Sequence, residues 1–256
     1  MAGIIKTHEQ IEQIRIASKH LAEVVAFIID KVAPGMNVDE LDTLAYNKII
    51  ELGDLPSFKG YKPYGVSVPF PKTLCISINE EVVHGIPKEK VFLKEGDIVT
   101  IDCGLKHNGF FSDHAITVGV GEISKENQEL IKVTKDAMNV GISVVRNGVR
   151  TGDIGYAIEK FINKRYGIVR ELAGHGVGIA VHEDPYISNY GRPHTGDVLK
   201  TGMVIAIEPM ITIGRTGDVK FHSDGYTVST KDKKNAAHFE HTVLITDTGY
   251  EILTEL

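Results

Sequence analysis

The chain has 256 residues, of which 42% are hydrophobic and 24% charged, and its formal net charge is −6. This composition excludes disordered, collagen-like and coiled-coil chains, and the acidic balance argues against nucleic-acid binding over the whole surface. The only cysteines are Cys75 and Cys103, so we expect a reducing compartment rather than a disulfide scaffold. Neither a signal peptide nor an apolar run of roughly 20 residues is found, so we expect a cytoplasmic protein without membrane contact.

The first fifty residues predict two helices. A capping box formed by Thr7 and Gln10 begins the first, and Pro34-Gly35 should end it. Asn37 begins the second, and Gly53 should end that one. Both sequences carry apolar residues at helical spacing, so each helix should bury one face.

The middle of the first half predicts a loop and a hairpin. Residues 54–72 are rich in Gly, Pro and aromatic side chains, which is typical of an irregular loop that lies on the protein. Strand-like runs follow at 73–78 and 98–103. Asn108-Gly109 predicts a hairpin turn before a returning strand at 110–119.

The second half predicts the same kinds of element. One helix should run from Ser124 to about Arg146 and another from Thr151 to about Tyr166. From residue 168 onward strand-like segments dominate.

The chain also repeats itself. Two strand-like segments and two helix starts occur twice: LKEGDIVTID (93–102) with LKTGMVIAIE (199–208), and PGMNVDELDTL (34–44) with NGVRTGDIGYA (147–157). A two-copy pattern indicates two similar halves rather than a solenoid, which needs three or more units. We therefore predict a single α+β domain over 1–256, with halves at approximately 8–120 and 124–250, sheets inside and four helices outside. A pseudo-twofold axis would bring Asp102 and Glu208 together at the centre.

Two aspartates mark the predicted hairpin. Asp102 ends an apolar strand and Asp113 lies on the returning strand. A His107-Asn108 turn would place them directly opposite and an Asn108-Gly109 turn would place them diagonally, but both registers put the carboxylates on one face. Two like charges on a buried strand are costly unless a cation lies between them. The alternative is a solvated hairpin edge.

Three further residues have the chemistry of ligands. His175 lies within Gly174-His-Gly-Val-Gly178, where glycines let backbone and ligand approach closely. Glu208 and Glu240 each stand at the end of an apolar run, where a carboxylate is seldom buried unless it has a partner. Taken singly, a glycine-rich turn or a strand end at solvent would also explain each of them. Together, four carboxylates and one imidazole favour a pair of divalent cations that share bridging carboxylates.

The motifs around these residues resemble those of one family. The chain is similar over residues 3–254 to the type I methionine aminopeptidases of the bacterial, extension-free kind, which have the pita-bread fold. The matching motifs are CISINEEVVHGIP (75–87), GDIVTIDCG (96–104), FSDHAIT (111–117), GHGVG (174–178), IEPM (207–210) and FEHTVLIT (239–246).

The resemblance implies a metalloaminopeptidase that removes the N-terminal methionine from nascent proteins when the second residue is small. A hydroxide bridging two divalent ions (Mn, Fe, Co or Zn) would attack the peptide bond. Asp102 would chelate one ion, His175 with Glu208 would hold the other, and Asp113 with Glu240 would bridge them. Glu208 would also take the proton, with His84 and His182 beside the substrate.

The residues expected to contact methionine are aromatic: Phe58, Tyr61, Tyr64 and Tyr226. The sequence departs from common relatives at Val181 and Tyr226, where aromatic or tryptophan side chains are frequent, at Phe58, and in a longer 65–71 stretch. These departures concern the substrate pocket rather than the ligands.

Two other functions fit the same fold. An Xaa-Pro aminopeptidase usually carries a long N-terminal domain, whereas here the first helix begins near residue 8. A non-catalytic binding protein typically loses ligands, whereas this chain keeps all five. The expected partners are nascent polypeptide N-termini, with the ribosome as a further candidate and no specific nucleic acid, and the expected state is a monomer.

Overall fold

The four predicted helices are all present in the computed structural model, which describes residues 3–63 and 65–256. They are α1 (His8–Ile29), α2 (Val38–Glu51), α3 (Lys125–Ser143) and α4 (Thr151–Ile162). The capping box forms as predicted, with Thr7 Oγ1 accepting from the Gln10 N–H and the Gln10 side chain accepting from the Thr7 N–H. None of the helices in the described part of the chain is long and apolar enough to cross a membrane.

Three helices end earlier than the sequence predicted. α1 stops at Ile29, before Pro34-Gly35, which lies in the following turn. α3 ends at Ser143 instead of near Arg146. α4 ends at Ile162 because Asn163 takes a left-handed conformation, with φ of 48°, that a right-handed helix cannot continue.

The strands are short apart from one long hairpin. In chain order they are β1 (Leu55–Pro56), β2 (Leu74–Ile78), β3 (Glu81–Val83), β4 (Ile98–His107), β5 (Phe110–Gly119), β6 (Gly167–Ile168), β7 (Ala173–Gly176), β8 (Glu183–Ser188), β9 (Val204–Ile207), β10 (Met210–Thr212), β11 (Val219–Phe221), β12 (Val228–Thr230), β13 (Ala236–His238), β14 (His241–Ile245) and β15 (Tyr250–Ile252). Among the described residues of the predicted loop at 54–72, β1 is the only strand, and β4 extends four residues beyond the predicted end at 103.

All strand pairings among the described residues are antiparallel. One sheet has the order β1-β4-β2, with β5 paired to β4, and another has the order β15-β14-β9-β7-β8. Two three-stranded sheets, β13-β10-β6 and β11-β12-β3, complete the set. The hairpin of β4 and β5 turns at Asn108-Gly109, as predicted.

Each pair of helices covers a core of its own. In the first half, α1 and α2 pack on β2 and β4 through residues such as Leu21 and Ile101. In the second half, α3 packs chiefly on β13 and α4 on β8, over a core that includes Ile158 and Ile205. In both halves the helices lie outside the sheets and turn their apolar faces toward them. The predicted α+β architecture with four outer helices is therefore confirmed.

Candidate active site

The β4–β5 hairpin places two carboxylates on one face. Its Asn108-Gly109 turn sets a register in which Asp102 lies opposite Ala115, and Asp113 lies opposite Gly104. Side chains two residues apart on a strand point to the same side of a sheet. The two aspartates are therefore diagonal neighbours, which is one of the two registers that the sequence allowed.

An isolated antiparallel bridge joins this hairpin to the second half of the chain. Ala115 pairs with Glu240, whose N–H donates to the Ala115 carbonyl at 2.9 Å. Directly opposed residues of an antiparallel pair lie on the same face. Glu240 therefore adds a third carboxylate beside Asp102 and Asp113.

Glu208 and His175 reach the same face through β9 and β7. Strand β14 pairs with β9 so that His241 lies opposite Ile207, and the same register continued by one residue places Glu208 opposite Glu240. The neighbouring strand β7 carries His175, whose Nε2 lies 3.4 Å from Glu208 Oε1. All five predicted ligands thus meet where the two halves join.

The donor set suits divalent cations. Ligand atoms of Asp113, His175 and Glu240 all lie within 4.8 Å of one another. Asp102 Oδ1 and Glu240 Oε1 are buried without a hydrogen-bond partner among the described residues. His175 donates from Nδ1 to the Gly176 carbonyl at 2.9 Å, which leaves the Nε2 lone pair for an ion. Hard oxygen donors with one imidazole are what divalent metals of borderline character bind.

The pKa values of the buried carboxylates also favour a bound cation. Burial raises the pKa of Asp102 to about 7, and burial with the neighbouring carboxylates raises the pKa values of Asp113 and Glu240 well above their ordinary range. Burial alone would also raise the pKa of Glu208, but the His238 imidazole beside it lowers that pKa. Crowded buried acids hold their protons until a positive charge offsets their repulsion, so a cation would return them to the ionised form.

A single cavity of about 230 Å³ contains all five of these residues. It is also lined by both outer histidines and three of the four predicted aromatic residues, namely His84, His182, Phe58, Tyr61 and Tyr226. Tyr64, the fourth, lies outside the described residues. The carboxylate and imidazole cluster forms one end of a pocket whose other walls are mainly apolar.

The comparisons with known proteins decide the family. The model of metallopeptidase family M24 matches residues 12–247. The chain belongs to family M24. Its members are metallopeptidases, so this M24 chain is a metal-dependent hydrolase, as the sequence predicted.

Similar proteins place the chain in one branch of M24. A methionine aminopeptidase from Clostridium acetobutylicum is 45% identical over 252 residues, which cover 98% of both chains. The crystal structure of a methionine aminopeptidase from Thermotoga maritima is 40% identical, with a TM-score of 0.94 over 99% of this chain and 100% of that one. The resemblance to the type I methionine aminopeptidases is thereby confirmed.

Other M24 structures share the fold at lower similarity. A prolidase from Pyrococcus furiosus superimposes with a TM-score of 0.78 at 27% identity, and this chain covers 66% of it. The pita-bread fold with two pseudo-symmetric halves is confirmed by these neighbours. The lower identity makes the Xaa-Pro branch the less similar one.

Both outer histidines are neutral. Burial, with the neighbouring His175, lowers the pKa of His182 to about 3, and burial lowers the pKa of His84 to about 4. His182 Nδ1 lies 2.7 Å from Tyr61 Oη, and its ring meets that of His175 edge-on at 4.4 Å between centroids. His84 follows β3 with a φ of 58°, which is uncommon for a residue with a side chain and often marks a functional position.

Glu183 fixes the loop that carries His182. Its Oε1 accepts hydrogen bonds from the backbone N–H groups of Ile179 and Ala180. Its Oε2 accepts from Lys6 Nζ at 2.7 Å in a buried ion pair. This network is specific to the tertiary structure, because Lys6 and Glu183 are far apart in the sequence.

The aromatic wall includes residues that the sequence analysis did not select. Phe70 and Cys75 line the cavity with Phe58, and Phe70 meets the Tyr226 ring at 5.0 Å between centroids. Tyr226 Oη donates to the Val68 carbonyl at 2.6 Å and so anchors the 65–71 stretch. Phe70 lay within the predicted aromatic loop, and Cys75 precedes Ile76 in a recognised motif, but neither position carried a chemical signal of its own.

Val181 does not line the cavity. It is buried against Phe58, Phe70 and Cys75, behind the pocket wall. The valine at this position, where common relatives often carry an aromatic side chain, therefore affects the pocket through packing rather than by lining it.

His238 is a further residue near the carboxylates to which the sequence analysis gave no role. It is 1% exposed, and its Nε2 lies 3.4 Å from Glu208 Oε2 and 3.9 Å from Glu240 Oε2. It forms a ligand-type group with those two carboxylates. It stands two residues before Glu240 in the sequence, and this spacing, which puts side chains of extended chain on the same side, was the available signal.

Proposed function

We propose that the chain removes the N-terminal methionine from nascent polypeptides when the second residue is small. The observation that carries this proposal is the single cavity in which a carboxylate–histidine cluster closes one end of an apolar, aromatic pocket. The names of the similar M24 proteins from Clostridium acetobutylicum and Thermotoga maritima support it.

We propose that the site holds two divalent cations drawn from Mn, Fe, Co and Zn. Asp102 would chelate one and His175 with Glu208 the other, with Asp113 and Glu240 shared. The excess of carboxylates over what one ion needs, and their raised pKa values, support this count. When bound, such cations supply an activated water at neutral pH and polarise a peptide carbonyl.

The protein's own groups then move the proton and steady the substrate. Glu208, whose pKa is lowered by His238 against the effect of burial, is the carboxylate best kept ionised and so serves as proton acceptor. Neutral His182, oriented by Tyr61, donates to the scissile group as negative charge develops there. His84, which also lines the cavity, would face the amide nitrogen.

Methionine would occupy the aromatic pocket. Phe58, Tyr61 and Tyr226 line it in the described structure, and we extend the proposal to Tyr64. A thioether gains from contact with aromatic ring edges, and an unbranched chain enters a narrow slot easily. The limit on the second residue is steric, because the outer histidines leave little room beside the scissile bond.

The wider setting follows from the reaction. We propose that residues 1–256 act as one catalytic domain whose halves, at approximately 8–120 and 124–250, both supply ligands. The enzyme would work in the cytoplasm as a monomer on emerging N-termini, where the ribosome is the candidate partner.

A peptide series tests the proposal. Purified protein is loaded in turn with Mn, Fe, Co and Zn, and metal content is measured by mass spectrometry. Met-X-Lys peptides with X from Gly to Leu are followed by chromatography, beside Leu-Gly-Lys and an Ala-Pro-Lys peptide. We expect Met release for small X only. Release of Leu at the Met rate would contradict the pocket, and cleavage of Ala-Pro-Lys alone would favour the Xaa-Pro reaction. A chain that binds metal without cutting any peptide would be a binding protein.

A further inference from the structure

The imidazole of His238 is buried without a hydrogen-bond partner. It is 1% exposed, and both of its ring nitrogens lack a hydrogen-bond partner among the described residues. A buried polar group without a partner is costly and rare in folded proteins. The nearest acceptors of its Nε2 are Glu208 Oε2 at 3.4 Å and Glu240 Oε2 at 3.9 Å.

The backbone of His238 is held firmly in place. Its N–H donates to Thr117 Oγ1 at 2.9 Å, and Thr117 Oγ1 donates to the His238 carbonyl at 2.8 Å. Strand pairing sets His238 opposite Met210. The imidazole is therefore aimed at the carboxylates by a fixed main chain, and only its side chain is left without a partner.

The two imidazoles near Glu208 differ in a way that separates their roles. His175 donates from Nδ1 to the Gly176 carbonyl, which is the hydrogen bond that a ligating imidazole makes, and its Nε2 faces Glu208 Oε1. His238 has no acceptor for an Nδ1–H group among the described residues. A metal on Nε2 of His238 would force the proton onto Nδ1 and leave a buried donor unpaired, whereas ligating histidines nearly always donate their second N–H.

We propose that His238 is a positioning residue that donates its Nε2–H to Oε2 of Glu208. The bond fixes the carboxylate so that Oε1 stays beside His175 and the proton-accepting role is kept ready. Such bonds are often long in the free enzyme and shorten when the site is filled. The inference rests on the proposed function only for its kinetic consequences.

Two substitutions separate this role from a merely structural one. His238→Gln keeps an N–H donor near the Nε2 position, whereas His238→Asn places its amide near Nδ1 and withdraws the donor from Glu208. His241→Asn is the matched control, because His241 uses Nδ1 at 2.8 Å from Thr254 Oγ1, a bond that Asn reproduces.

Three measurements are made on each metal-loaded protein: calorimetric metal affinity and stoichiometry, kcat and KM on Met-Ala-Lys, and thermal unfolding. We expect His238→Asn to lose roughly 10–100-fold in metal affinity or kcat with little change in KM. His238→Gln should stay within a few-fold of the parent protein in both, and His241→Asn should match the parent.

Equal behaviour of the Asn variant and the parent would overturn the proposal, as would a Gln variant as impaired as the Asn variant. Loss of one bound metal equivalent in both variants would show instead that His238 is a ligand. Metal affinity does not depend on the peptide, so failure of the parent protein to release methionine would count against the proposed function and leave the calorimetric test standing.

Discussion

Glu240 lies directly opposite Ala115 in a two-residue antiparallel bridge, and this contact links the sheet of the first half to that of the second. Asp102 also lies opposite Ala115, on its other side. A residue with a methyl side chain is therefore flanked by two carboxylates on the same face. The residues that join the two halves therefore also belong to the candidate active site.

Glu208→Gln should abolish most of the turnover. The amide keeps the shape of the side chain but cannot accept a proton, and loss of a general base typically lowers the rate about 10²–10⁴-fold. Steady-state kinetics and calorimetric peptide binding on the metal-loaded variant measure this, with the exposed Glu171→Gln as control. Near-normal kcat at full metal content would assign the proton to another group.

His182→Ala should lower kcat more than it raises KM. The neutral imidazole contacts the scissile group mainly as charge develops, and interactions confined to the transition state appear in kcat. Tyr61→Phe removes only the hydroxyl that lies 2.7 Å from His182 Nδ1, so its loss of kcat should be smaller. A change in KM alone for the alanine variant would argue for a role in ground-state binding.

The stability of the metal-free protein should fall as the pH rises from about 7 to about 9. The pKa of Asp102 is about 7 in the folded protein, and the pKa values of Asp113 and Glu240 are also raised, whereas unfolded carboxyls titrate near ~4. Below pH ~7 the buried His84 and His182, whose pKa values are lowered to about 4 and about 3, act in the opposite direction because the unfolded chain protonates them. Above pH ~7 that contribution is gone, the folded state binds more protons than the unfolded state, and deprotonation favours unfolding.

Chelator-treated protein is unfolded thermally at several pH values to test this, and Asp102→Asn should flatten the slope. Added Mn²⁺ should stabilise the protein, and more at pH 8 than at pH 5, since ligands must be ionised to bind metal. A metal-free stability that rises over this range would contradict the raised pKa values.

Asp54→Asn should destabilise the fold with little effect on the chemistry. The buried Asp54 carboxylate contacts Nδ1 of His20 at 2.7 Å and Nδ1 of His107 at 2.6 Å, joining α1 to the end of the β4–β5 hairpin. An amide offers one acceptor oxygen in place of two, so one histidine must either change its tautomer to accept from the amide N–H or lose its partner, and a lost buried hydrogen bond costs about 1–3 kcal/mol. Denaturant unfolding measures the change, with the exposed Asp30→Asn as control. An unchanged midpoint would show that the contacts contribute nothing.

Local sequence was enough to predict which helices and main strands form and to select the candidate ligands. Helix caps at Thr7 and Asn37, the Asn108-Gly109 turn and apolar runs ending in acids all act over a few residues, so they can be read from the chain alone. The family resemblance added which of two ions each candidate ligand would bind; these ligands are Asp102, Asp113, His175, Glu208 and Glu240. Helix ends were less predictable, because a few tenths of a kcal/mol per residue decide where a helix stops.

Contacts between distant residues were decided only by the tertiary structure. Local sequence patterns do not predict the ion pair of Lys6 with Glu183 or the packing of Val181 against Phe70. Nor do they predict that His238 lies beside Glu208. These arrangements depend on how two separately formed halves pack against each other, and burial changes both the pKa of a side chain and the cost of leaving it unpaired. The sequence by itself determined which groups this metallopeptidase has, and the packing of its two halves determined which of them share one buried face.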